Sequence, residues 1–155
     1  MMIVTDEQVK QRWYDNLTDD YELQVIVLAL YLAEGDSYNR VDYDEAQEHF
    51  DSQDYLVLTD EEADEVVRED IEEMVWAFNA SFLSAHTGVD EEVFKILQVK
   101  CEDSNDAIMS MIKDFDAFVE DAVRRDGRGI FLAGYDHEEN EITFNGITYY
   151  IYRRN

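Results

Sequence analysis

Residues 59–82 have the sequence TDEEADEVVREDIEEMVWAFNASF, and this stretch decides how the chain is expected to fold. Thr59 is followed three positions later by Glu62, which is the pattern of a capping box at the start of a helix. Apolar residues then recur at the three- and four-residue spacing that places side chains on one helix face: Ala63, Val67, Ile71, Met74, Phe78 and Phe82. The pattern predicts one long helix that faces the core and ends near Thr87 and Gly88.

Helices are also predicted on both sides of this one. The chain has no proline and only six glycines, which favours long uninterrupted helices. Residues 25–32 are apolar on all sides, so they are expected to form a buried central helix. The predicted helices cover residues 6–17, 19–34 and 44–50, begin again at residue 90, and cover residues 104–125.

The C-terminal part of the chain has the pattern of strands. Residues 142–152 surround Asn145 and Gly146, and an Asn-Gly pair between such segments is the strongest short-range signal for a β-hairpin. Because a lone hairpin is marginal in water, residues 55–58 or residues 130–132 are expected to add a third strand. We therefore expect one α+β domain over residues 1–155. Its mainly helical body covers about residues 1–125, and a small antiparallel hairpin region covers about residues 126–155.

The net charge is the most unusual property of the composition. The chain carries 38 acidic and 12 basic residues, a formal net charge of −26, yet 46% of its residues are hydrophobic and 13% are aromatic. Disordered acidic segments are poor in aromatic residues, so this composition predicts a folded domain. Residues 1–60 and 61–125 each carry a net charge of −12, whereas residues 126–155 carry −2. The negative charge therefore belongs to the helical body.

Other features indicate the compartment. Cys101 is the one cysteine, which excludes an internal disulfide and fits a reducing environment. Residues 1–7 lack the basic and apolar regions of a signal peptide. The longest apolar run is nine residues, about half of what a bilayer requires. The sequence predicts a cytoplasmic protein that does not bind membranes.

The acidic residues of the long helix suggest mimicry of a nucleic acid. Carboxylates three or four residues apart on a helix lie about 5–6 Å apart, similar to neighbouring phosphates along one strand. A basic surface that holds phosphates would attract such a row of carboxylates. The predicted partner-binding residues are Asp60, Glu61, Glu65, Glu69, Glu72 and Glu73, with Asp19, Asp20 and Glu22 as a supporting group.

Two simpler explanations fit the same composition. Most runs of charge are solvated helix faces, and a salt-adapted protein would also carry an acidic surface. Solubility alone requires a net charge of only about 2–8 for a small domain, so −26 calls for a further reason.

The sequence contains no catalytic signature. His49, His86 and His137 are far apart, and no Gly-rich phosphate loop is present. Arg128 stands between two glycines, which fits either an exposed ligand contact or a turn with an ion pair. Residues 136–141 are rich in oxygen donors but lack the EF-hand pattern. We expect no enzyme activity, no cofactor and no metal site, and the net charge disfavours direct nucleic-acid binding.

The hairpin offers an alternative function. Tyr150 and Tyr152 are two residues apart and share one face of the predicted strand. Tyrosine is favoured at protein interfaces, although packing against the helices would produce the same pattern. The alternative is an acidic accessory or scaffold protein that binds a partner through this aromatic hairpin. The sequence also leaves a homodimer open.

Four blocks carry a resemblance to known proteins. They are DYLVLTDEEADE at residues 54–65, WAFNASFL at 76–83, YDHEENE at 135–141 and YIYR at 150–153. In these blocks the chain resembles a group of small acidic proteins encoded by tailed bacteriophages. The resemblance implies a phage protein made inside a bacterial cell, and it implies no residue role. Small acidic phage proteins include mimics of DNA that block host defence proteins. We therefore expect a non-enzymatic mimic that blocks the basic nucleic-acid-binding surface of a host protein.

Overall fold

The structure, a computed structural model, describes residues 20–34 and 43–155. The helix expected over residues 6–17 lies outside the described residues, as does Asp19. Within the described ranges the helices are α1 (Asp20–Glu34), α2 (Tyr43–Asp51), α3 (Asp60–Glu73), α4 (Ala80–Thr87), α5 (Glu91–Leu97), α6 (Asn105–Met111), α7 (Phe115–Asp126) and α8 (Arg128–Leu132). Short 3-10 helices cover Val75–Ala77 and Gln98–Ser104. The strands are β1 (Tyr55–Thr59), β2 (Asn140–Phe144) and β3 (Ile147–Arg153).

The predicted α+β class with a mainly helical body is confirmed. The three strands form one antiparallel sheet in the order β1-β3-β2. Asn145 and Gly146 both have positive φ angles, 54° and 75°, as the tight turn of a two-residue hairpin requires. The expected third strand is β1, in which Leu58 is opposite Tyr150.

The alternative third strand over residues 130–132 is wrong, because those residues belong to α8. This short helix follows Gly127, whose φ of 81° ends α7. Gly129 then lies so close to the next loop that a Cβ atom would be 2.5 Å from the carbonyl oxygen of His137. The close approach fixes α8 against the loop that leads into the sheet.

The predicted long helices are interrupted, which corrects two boundaries. The helix expected from residue 59 to residue 87 ends at Glu73, and a new helix starts after Asn79, whose side chain accepts a 3.0 Å hydrogen bond from the Ser81 backbone. The helix expected over residues 104–125 is likewise divided, because the Asp114 side chain accepts from the Ala117 backbone at 3.1 Å and starts α7. In both cases a short polar side chain bonds locally to the backbone in competition with the continuing helix.

Two hydrophobic clusters lie on opposite faces of the sheet. On one face Leu58 and Tyr152 belong to a large cluster with the buried residues of α3 to α8. On the other face Val57 and Ile151 pack with Val27 and Leu28 of α1. Successive residues of β1 and β3 therefore point to opposite faces of the sheet, and α1 packs on one face while α3 packs on the other. Of the run 25–32 that was expected to be buried, residues 25–29 are buried and residues 30–32 are half-buried. No helix in residues 20–34 or 43–155 is long and apolar enough to cross a membrane.

Candidate acidic interaction surface

Helix α3 presents four glutamates to solvent in a line that we call the acidic row. Its buried side consists of Ala63, Val67 and Ile71, which contact the main cluster. The capping box predicted at its start is present: the Thr59 hydroxyl accepts from the Glu62 backbone at 3.3 Å, and Glu62 accepts from the Thr59 backbone at 3.0 Å. These contacts fix the rotation of α3 about its axis. The face opposite the core therefore carries the exposed residues Glu61, Glu65, Glu69 and Glu72.

The side chains of the acidic row have no positive partner among the described residues. Within residues 20–34 and 43–155 none of the four forms an ion pair or a side-chain hydrogen bond. The arginines around them are directed at other carboxylates: Arg68 pairs with Asp116, Arg124 pairs with Asp121, and Arg128 binds three further acids. The fold therefore compensates the neighbouring charges and leaves the row negative.

The other predicted partner-binding residues have different surroundings. Glu73 is exposed at the end of α3. Asp20 and Glu22 are exposed in the first turn of α1. Burial raises the pKa of Tyr149, and the carboxylates of Glu62 and Asp20 raise it further. Both carboxylates therefore act electrostatically on the same tyrosine of β3.

Among the predicted residues, Asp60 differs in being paired with Arg128, although its own side chain remains 66% exposed. The Arg128 Nη1 atom lies 2.9 Å from Asp60 Oδ1 and 3.0 Å from Asp64 Oδ1, and its Nε atom lies 2.7 Å from Glu139 Oε1. The guanidinium also covers the Tyr150 ring at 4.6 Å, and the Arg128 side chain is only 10% exposed. Burial would lower the pKa of Arg128, but the hydrogen bonds to Glu139 and Asp60 outweigh it and raise the pKa.. Arg128 thus fastens the first turn of α3 to the sheet.

The hairpin tyrosines are engaged within the fold. Tyr152 is fully buried, and its hydroxyl donates a hydrogen bond to Glu139. Burial raises the pKa of Tyr152 well above its ordinary value, and the bond to Glu139 adds to the effect. Tyr150 is half-buried under Arg128. Tyr152 is therefore not a contact surface, which removes it from the alternative interaction site.

The acidic loop over residues 136–141 and the histidines were the other candidates for a metal or catalytic site. In the described part of the chain, no group of three or more His, Cys, Asp or Glu side chains is placed to hold a metal ion. In the loop over residues 136–141, Glu139 binds Arg128, and Asp136 accepts from the backbone of Glu138 at 3.0 Å. His86 lies 2.9 Å from Asp121, and His49 lies 3.1 Å from Asp54. Each of these two histidines therefore has a carboxylate partner.

Sequence reasoning missed a groove between α3 and α7. Its volume is about 570 Å³, and its floor consists of Val67, Val119 and Val123. The residues come from helices about 50 positions apart, so no local spacing could have revealed the contact. The pairing of Arg68 with Asp116 across the two helices is the long-range feature that joins them.

Removing the negative charge of the acidic row is expected to stabilise the protein. Like charges three or four residues apart destabilise a helix, and the row contains three such neighbouring pairs, whose repulsion we expect to exceed the favourable effect of Glu61 in the first turn of α3. In a row variant with Glu61→Gln, Glu65→Gln, Glu69→Gln and Glu72→Gln we expect the melting temperature in low salt to rise by about 1–3 °C. Thermal unfolding followed by circular dichroism measures this.

A control variant carries the same change in charge elsewhere. It combines Glu91→Gln, Glu102→Gln, Asp103→Asn and Asp106→Asn, all at exposed positions. Glu91 and Asp106 lie in first turns, where negative charge favours the helix, so this variant should gain no stability. A row variant that melts below the natural protein would show that the row makes stabilising contacts.

Comparisons with known proteins add no relationship: no family model, no curated protein and no solved structure matches this chain.

Proposed function

We propose that this protein is a non-enzymatic mimic of a nucleic acid that occupies the basic nucleic-acid-binding surface of a host protein. The observation that carries the proposal is the acidic row, four exposed glutamates on one helix without a positive partner in the described part of the chain. The bacteriophage resemblance of residues 54–65, 76–83, 135–141 and 150–153 supports the setting. In that setting the protein acts in the cytoplasm of a bacterial cell, and its target is a defence or DNA-processing factor.

The construction of α3 suits this function. The capping box and the Arg128 contacts hold the helix in place before a partner arrives, so little conformational entropy is lost when the row is bound. The net charge of −26 steers a basic partner over long distances and raises the association rate. A solvated face would have the same exposure, but it would show no preference for proteins that bind nucleic acids.

The scaffold function through the hairpin is not supported by the geometry. It requires tyrosine side chains that a partner can reach, and Tyr152 is fully buried while Tyr150 is covered by Arg128. The acidic row therefore remains the surface on which the proposal rests.

The proposal is tested by capturing partners on the immobilised protein from a bacterial lysate treated with nuclease. We expect nucleic-acid-binding proteins to be retained, to elute as salt rises, and to be displaced by added duplex DNA. The row variant should retain the same proteins at least about tenfold more weakly, whereas the control variant should retain them normally.

The two variants have equal net charge, so a difference between them assigns the binding to the row. Equal loss in both variants would indicate a general charge effect and would reject mimicry by α3. Partners that resist both salt and DNA would reject the proposal as a whole.

A further inference from the structure

The groove between α3 and α7 combines an apolar floor with a charged rim. Val67, Val119 and Val123 form the floor. The volume of about 570 Å³ falls within the range of about 300–1,000 Å³ in which proteins bind ligands. The charged residues of the rim are Asp64, Glu65, Arg68, Asp116, Glu120 and Arg124.

Most of the rim charges are already paired. Asp64 is bound by Arg128, Asp116 by Arg68, and Arg124 is directed at Asp121. Among the described residues, Glu65 and Glu120 have no ion pair. One belongs to α3 and the other to α7, so an uncompensated carboxylate stands on each wall of an apolar groove.

Glu65 also belongs to the acidic row, which makes the groove continuous with the proposed binding surface. A ligand that fits both must carry positive charge along its length and an apolar side chain between its charges. An α-helix with basic residues on its flanks and an apolar stripe meets this requirement, and amphipathic helices commonly bind in grooves between helices. The 14 residues of α3 extend over about 21 Å, enough for about four turns of such a helix.

We propose that the groove binds a basic amphipathic helix of the partner, with one apolar side chain on the three valines and basic residues beside Glu65 and Glu120. This inference rests on the proposed function and specifies the element of the partner that the protein covers. Phosphate-bearing ligands and anionic lipids do not fit, because the rim and the row would repel them. The binding then has two parts, an electrostatic part that salt weakens and an apolar part that salt does not weaken.

Two synthetic peptides of equal positive charge separate these parts. The first, about 18 residues long, carries leucine on one helical face and lysine on the other, and the second has glutamine in place of leucine. Their affinities are measured by isothermal titration calorimetry in low salt and at about 0.5 M salt. We expect the leucine peptide to bind about tenfold more tightly in low salt and to keep measurable affinity at high salt.

A variant that fills the groove tests where the leucine peptide binds. Val123→Phe should weaken the leucine peptide about tenfold and leave the glutamine peptide unchanged. Ala117→Phe is the control, since Ala117 is exposed on the same helix and does not line the groove. NMR of the natural protein provides a test without substitution, because the amides of Val67, Val119 and Val123 should shift with the leucine peptide only.

The outcomes distinguish this inference from the proposed function. If both peptides bind equally and Val123→Phe has no effect, the groove is not a binding site, while loss of both peptides in the row variant would still support the acidic row. If the row variant binds both peptides as the natural protein does, the row itself is rejected. If neither peptide binds, the groove inference is overturned.

Discussion

Replacing Arg128 by alanine is expected to lower the unfolding free energy by about 2–4 kcal/mol. The side chain is 10% exposed and joins α3, the loop before β2 and the Tyr150 ring. Hydrogen bonds to charged groups are stronger than neutral ones, and the substitution removes several together. It also leaves Glu139, whose side chain is only 33% exposed, without its positive partner.

Urea unfolding of matched variants separates this effect from simple loss of charge. Arg128→Lys keeps the charge but not the planar set of donors, so it should recover less than half of the loss. Arg124→Ala removes an arginine that is 70% exposed and pairs with Asp121, and it should change stability far less. Equal effects of Arg128→Ala and Arg124→Ala would show that Arg128 does not hold the fold together.

Salt is expected to stabilise this protein strongly. With a net charge of −26, mutual repulsion opposes the compact state, and raising the salt from about 10 mM to about 0.5 M shortens the range of this repulsion from about 30 Å to below 10 Å. We expect the melting temperature to rise by about 5–10 °C over this interval. The row variant should gain less, because part of the repulsion has already been removed.

The same titration separates the proposal from the salt-adapted alternative. A protein adapted to high salt would be unfolded at about 10 mM, whereas a mimic that acts in ordinary bacterial cytoplasm must already be folded there. Circular dichroism and the melting curve at each salt concentration measure both quantities. A melting temperature that does not change with salt would contradict the repulsion argument.

Local patterns in the sequence predicted most of the elements, and contacts between distant residues account for what they missed. The capping box at Thr59, the helix over residues 20–34 and the Asn-Gly hairpin depend on neighbouring residues and were correct. The breaks before α4 and α7 depend on Asn79 and Asp114, which cap these two helices. The sequence does not show these caps, because the helical spacing of apolar residues continues across both positions.

In the candidate site, too, local spacing predicts some features and contacts between distant residues determine the others. The exposure of the acidic row follows from helical periodicity, so it could be predicted from the spacing of the glutamates alone. The binding of Asp60 by Arg128 joins residues 68 positions apart, and the groove joins α3 to α7. No periodic pattern contains such distances. The burial of Tyr152 follows from its position opposite Leu56 in the central strand, on the face that the helices α3 to α8 cover. Alternation alone could not show that this face is covered.

The strand order has a consequence for synthesis on the ribosome. The central strand β3 is the last of the three strands to be made, and Leu58 must wait for Tyr150, 92 positions later, before it has its strand partner. At a synthesis rate of about 5–20 residues per second this interval is roughly 5–20 s. During this time the apolar sides of α1 and β1 lack the contacts that β3 provides. The net charge of −12 on residues 1–60 makes unfinished chains repel one another during that time. We therefore expect the acidity of residues 1–60 to oppose association of nascent chains before the sheet closes.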